Sequence, residues 1–168
     1  MKRVHIVSVE SDLEAQALRA ACEYWGAEVS ITWAANANQL VDFFSSAPAH
    51  DVIILAGHGD DDGLTLPQLD LSIAANYKFQ NKIRPEDFAT FLHLKANIVL
   101  NTCCCGGTPA MAAAFLNHGA KAYIAHPDYP DGSEALLFAL RFLYACLVLE
   151  SPSLPAPPDN AGFQLTLA

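Results

Sequence analysis

The sequence predicts an α/β fold: three layers, doubly wound, around a mainly parallel sheet of strand order 2-1-3-4-5. Three observations carry this expectation. Short apolar runs alternate with segments of helical periodicity along the 168-residue chain. Two of these runs, residues 52–56 and 98–100, are apolar without interruption, as strands covered on both faces are. Each of the two ends in a glycine-marked turn with reactive side chains: Gly57-His58-Gly59 after the first, Cys103-Cys104-Cys105-Gly106-Gly107 after the second. Open parallel sheets bind their ligands at the carboxyl ends of the strands.

The elements follow in order. Residues 4–9 form the first strand. Ser11 caps a helix running to about Trp25, with Glu14 in the capping-box position. Leu13, Ala17, Leu18, Ala21 and Cys22 recur on one face of it, and Gly26 stops it. Residues 28–33 alternate Val29, Ile31 and Trp33 with Glu28, Ser30 and Thr32, the pattern of a half-covered edge strand. Residues 39–46 make a short helix, and 52–56 the third strand. Residues 57–84, with Asp60-Asp61-Asp62-Gly63 and a polar stretch near 76–82, read as a long loop with a small hairpin. Such an excursion at a strand's carboxyl end suits the shaping of a ligand cleft. Pro85 opens the next helix, whose apolar face is Phe88, Phe91 and Leu92. Residues 98–100 are the fourth strand, 108–118 a helix with Pro109 in its first turn, and 122–125 the fifth strand. Ser133 caps a last helix from about Glu134 to Leu149. Residues 1–150 thus form a single domain. Residues 151–168 form a C-terminal tail, with four prolines in 151–158 that suit an extended linker. Residues 162–168 read as an edge strand or as unstructured chain.

Composition narrows the function. The net charge is −9 and the nine basic residues are scattered, which argues against nucleic acid and anionic membrane as partners. No apolar run is long enough to span a bilayer. Glu10, Asp12 and Glu14 follow the first strand at once, unlike a signal peptide. Five cysteines, an odd number with three adjacent, fit a reducing cytoplasm better than a disulfide framework. His58, Asp60, Cys103 and His126 match no metal-ligand spacing, so no metal is expected.

In the order 2-1-3-4-5, strands three and four are neighbours, and His58 and Cys103 emerge at one edge. A thiol is a weak nucleophile until it loses its proton, and an adjacent imidazole can take that proton. Amides in the turns of Gly59 and Gly106 are suited to hold a developing oxyanion. Cys104 and Cys105 read as core or first-turn residues, and Cys22 and Cys146 as packing. His126 follows strand five at the same edge and reads as a pocket residue. Asp60 reads as a loop carboxylate suited to a basic substrate group.

The stretch from Asp51 to Leu149 resembles the caspase-like cysteine peptidases, most closely the bacterial CHAT branch. The matching segments are Gly57-His58-Gly59, residues 85–94, Asn101-Thr102-Cys103-Cys104-Cys105-Gly106, the helix end around Phe115-Leu116 and Gly119-Ala120, Tyr123-Ile124-Ala125, and the closing helix through Phe142-Leu143-Tyr144. The resemblance implies a Cys-His dyad. Cys103 would be the nucleophile, because the family's glycine lies three residues after its cysteine, as Gly106 does here. His58 would be the base, and the amides of Gly59 and Cys103 the oxyanion hole. No cofactor is implied, and the partner would be a peptide or protein substrate. Asn101 stands where relatives that cut after basic residues often carry an acid, and so joins Asp60 and His126 as a pocket residue. Two other readings use the same residues: a CHAT-like interaction module without catalysis, and a flavodoxin-like binding domain.

Overall fold

The computed structural model describes residues 1–46, 49–151 and 160–168. Along the first half run β1 (Arg3–Ser8), α1 (Asp12–Tyr24), β2 (Glu28–Trp33), α2 (Ala37–Ser45) and β3 (Val52–Ala56). Then come β4 (Gly59–Asp60), β5 (Gly63–Thr65), α3 (Leu71–Ala74), β6 (Lys82–Ile83) and α4 (Pro85–Phe88). The chain closes with β7 (Ala96–Asn101), α5 (Pro109–Leu116), β8 (Ala120–Ala125), α6 (Gly132–Leu147) and β9 (Gln164–Leu167).

The main sheet has six strands in the order β2-β1-β3-β7-β8-β9. Its first five are mutually parallel and reproduce the expected order 2-1-3-4-5; β9 adds to β8 antiparallel. All five residues of β3 are buried, as the centre of a sheet covered on both faces requires. The sheet divides the core in two. One side packs Ile53, Leu55, Val99 and Tyr123 against α2, α4 and α5; the other packs Val4, Ile54, Leu100 and Ile124 against α1 and α6.

Several elements differ from expectation for local reasons. The hydroxyl of Ser11 donates to Glu14 Oε2 at 2.7 Å instead of accepting from the helix, so the two residues pair side chain to side chain in place of the capping box. Asp131, not Ser133, caps α6: its Oδ1 accepts from the amides of Ser133 at 2.9 Å and Glu134 at 3.3 Å. A carboxylate also complements the positive end of the helix. Residues 57–84 hold a second, three-stranded antiparallel sheet, β4-β5-β6, where a loop with one hairpin was expected. Leu64, Leu66, Phe79 and Ile83 anchor it in the core on the α2 side.

The proline-rich expectation for 151–158 falls outside the described residues apart from Ser151. Residues 160–168 return to the domain. Phe163 is buried and its ring stacks on Phe138 at 4.0 Å between centroids. Burial of a ring this size contributes about 1.5–3 kcal/mol, which holds β9 at the sheet edge.

Candidate functional site

Side chains alternate between the faces of a strand, and that alternation sorts the turn residues. On β3, Leu55 belongs to the core on the α2 side and Ile54 to the core on the α1/α6 side. On β7, Val99 and Leu100 divide in the same way. The last paired residues are Leu55 and Asn101, and the ladder is extended by Thr102 N donating to Leu55 O at 3.0 Å. Counting on from that pair sets Gly57 level with Cys103 and His58 level with Cys104. Cys103 falls on the α2 side, in line with Val99, and is part of that core. His58 and Cys104 fall on the opposite side. Both line one cleft of about 440 Å³ between the first turns of α1 and α6, with Ser11, Glu14, Thr102 and Pro130 among its walls.

Cys103 is therefore inside the protein. It is 2% exposed, and its Sγ lies 3.8 Å from Leu55 O. Gly57 and Gly59 pack directly over it: a Cβ on Gly57 would stand 3.5 Å from the sulfur, and one on Gly59 would stand 3.4 Å from Cys103 Cβ. Burial pushes its thiol well above the ordinary range, with the Glu14 carboxylate and Cys104 adding to the effect. Its backbone amide donates to Asn101 Oδ1 at 2.9 Å.

Asn101 is a clamp on this turn rather than a wall of the cleft. It is buried; its Nδ2 donates to Tyr123 Oη at 2.8 Å, and that hydroxyl donates to Gly106 O at 2.8 Å. Gly106 has to be glycine because a Cβ there would run into the Asn101 amide. The offset between Cys103 and Gly106 thus has a packing cause of its own. Cys105, at φ +54°, is buried; its Sγ approaches Asp61 Oδ1 at 3.4 Å and its amide donates to Asp128 O at 2.9 Å. Burial raises its thiol too, as does the neighbouring Asp61 carboxylate.

Cys104 differs from the other four cysteines. They are buried, whereas Cys104 is partly exposed, contrary to the core or first-turn expectation. Partial burial raises its thiol, and its own backbone amide opposes that rise. His58 is exposed at the rim of the cleft.

The other expected pocket residues are engaged elsewhere. Both carboxylate oxygens of Asp60 accept from Lys82 Nζ, at 2.6 and 2.7 Å, and pin β4 to β6. That hydrogen bond, more than the charge, holds its carboxyl below the usual range. His126 Nδ1 accepts from the Asp128 amide at 2.9 Å, while the ring lies edge-on to Phe163 at 5.5 Å. Of the 57–84 segment only Gly57 and His58 line this cleft; the helix starts form the rest of its wall with Thr102 and Cys104. Ser11, Glu14 and Pro130 are the cleft positions that motif spacing missed. A signal for them existed, because a helix that follows a parallel strand begins at the strand's carboxyl edge. Among the described residues no group of three or more His, Cys, Asp or Glu side chains is placed to hold a metal ion. Among them, too, no helix is long and apolar enough to cross a membrane.

No protein-family profile matches the sequence, and no curated protein matches it. Solved structures do. A secreted C11 cysteine protease from Bacteroides thetaiotaomicron, solved with an irreversible peptide inhibitor, superposes with a TM-score of 0.54 at 14% identity, over 90% of this chain and 55% of that one. This chain thus spans about half the length of that protease. A flavodoxin from Streptococcus pneumoniae TIGR4 gives a TM-score of 0.46 at 15% identity, over 84% of this chain and 93% of that one. At these identities the likeness is one of fold. The protein has a three-layer, mostly parallel α/β architecture, shared in fold with the C11 protease.

Proposed function

We propose that this protein is a caspase-like cysteine peptidase of the CHAT type. It would cleave peptide or protein substrates with His58 as base and a thiol of the Cys103–Cys105 turn as nucleophile; the motif offset names Cys103. The observation that carries this reading is that His58 and a cysteine of that turn line one open cleft at the carboxyl edge of the sheet. The raised thiols of the turn are protonated at neutral pH, so attack needs a base to take the proton as the bond forms.

In the proposed reaction the sulfur attacks the peptide carbonyl carbon and its proton passes to the imidazole. Turn amides hold the oxyanion, with Gly59 on one side. The carbon–nitrogen bond breaks, and the imidazolium returns the proton to the leaving amine. Water then attacks the thioester, the carbon–sulfur bond breaks, and the thiol is restored. Five free cysteines support a reducing, cytoplasmic setting. No cofactor enters these steps.

The test is incubation of the protein with a proteome-derived peptide pool, with new termini read by mass spectrometry. Cleavage that disappears in His58→Ala supports the reading; a wild-type chain that cleaves nothing overturns it. The burial of Cys103 favours a second reading, an interaction module without turnover, and the absence of cleavage would select it.

A further inference from the structure

We infer that Cys104, rather than Cys103, is the thiol that attacks the substrate. The inference rests on the peptidase reading and changes its nucleophile. Four observations lead to it. Cys104 lines the cleft that His58 lines, whereas Cys103 belongs to the core on the far side of the sheet. A carbonyl carbon reaches Cys103 Sγ only if Gly57 and Gly59 move off it, and the main chain of both is tied down. Gly59 is paired in β4 with Leu64, and His58 O, between the two glycines, accepts from Thr65 N at 2.9 Å.

The turn's amides agree. Those of Cys103, Cys105, Gly106 and Gly107 are given to Asn101 Oδ1, Asp128 O, Cys103 O and His126 O. The Cys104 amide is given to none of these acceptors. It is thus left to hold the oxyanion formed by attack of the Cys104 sulfur. Finally, Gly59 lies against Cys104 O so closely that no Cβ fits between them. The residue after His58 therefore sets the position of Cys104. The spacing to Gly106, which pointed to Cys103, is explained by the Asn101 side chain.

The chemistry is unchanged in its balance. Cys104 Sγ forms the bond to carbon, His58 takes and returns the proton, and water releases the acyl group.

The experiment treats the wild-type chain with a peptidyl acyloxymethyl ketone and maps the thioether adduct by tandem mass spectrometry. It therefore depends on no variant's folding. The same chain and Cys104→Ser are assayed for peptide hydrolysis. The expected result is an adduct on Cys104, and a loss of hydrolysis in Cys104→Ser of about 10³-fold or more, the scale of removing a nucleophile. An adduct on Cys103 or Cys105, or hydrolysis that survives in Cys104→Ser, overturns the assignment and leaves the peptidase reading standing. No adduct and no hydrolysis by the wild type overturns both.

Discussion

Asn101 Oδ1 accepts the Cys103 amide at 2.9 Å, two residues along the same chain. This bond turns the backbone out of β7 and sends Cys103 inward. Tyr123 on β8 braces the clamp from below and carries it on to Gly106. Replacing Asn101 by Ala leaves the buried Cys103 N–H without its acceptor, while the Tyr123 hydroxyl loses one donor and keeps its bond to Gly106 O. The unsatisfied N–H costs about 1–3 kcal/mol, so the variant should unfold at clearly lower denaturant concentration. Cys103 should also become reactive to thiol reagents that spare it in the wild type. Equilibrium urea unfolding and site-resolved alkylation check both outcomes.

Gly59→Ala tests the contact between the two motifs. The new Cβ would meet Cys104 O, with Gly63 O at 3.3 Å and Cys103 Cβ at 3.4 Å. These are mostly backbone atoms and cannot turn away. The expected cost is about 1–3 kcal/mol, typical of overpacking, together with slower chemistry at Cys104. A variant with wild-type stability and wild-type Cys104 reactivity would show that the two turns are not held against each other.

His5 should make stability depend on pH. It is 8% exposed, hydrogen-bonds Ser30 Oγ at 2.6 Å and Thr32 Oγ1 at 2.9 Å, and stacks on Phe43. Burial, aided by His50, lowers its pKa from 6.5 to about 4. The unfolded chain therefore binds a proton more readily between those values. Stability is complete above pH 6.5 and declines as pH falls toward about 4. His50, lowered by burial and by Arg3, acts in the same direction. In His5→Gln the slope of unfolding free energy against pH should lose up to about 1.4 kcal/mol per pH unit in that window. Chemical denaturation at a series of pH values measures the slope.

Phe163→Ala tests the attachment of the C-terminal segment. Losing a fully buried ring stacked on Phe138 should cost about 3–5 kcal/mol, and the amides of β9 should lose hydrogen-exchange protection ahead of those of β8. Equal protection in both strands would contradict the account.

The architecture was legible because its signals are long. Uninterrupted apolar runs named β3 and β7 as central strands, helical periodicity placed α1, and turn and cap residues placed α5 and α6. Of β4, β5 and β6 only a small hairpin was legible, since strands of two or three residues carry no period. Asp131 was passed over for Ser133 because both are good caps and only the backbone decides between them.

The site was legible as an address, but the faces its residues occupy were not. A motif offset counts residues but ignores which face each occupies. Alternation from Ile54 and Leu100 already puts His58 and Cys104 on one side, but only once the register Leu55 to Asn101 is known. Asn101 and Gly106 then prove to be partners in one clamp, and the Asp60 carboxylate proves to be spent on Lys82.

The most direct test of the pairing of His58 with Cys104 is the pH–rate profile of iodoacetamide alkylation at each cysteine, followed by peptide mapping in the wild type and in His58→Ala. Cys104 should be alkylated ahead of Cys103 and Cys105. Its rate at neutral pH should fall when His58 is replaced, while the slow rate of Cys103 stays as it was. Alkylation of Cys103 first, or a Cys104 rate indifferent to His58, would contradict the account.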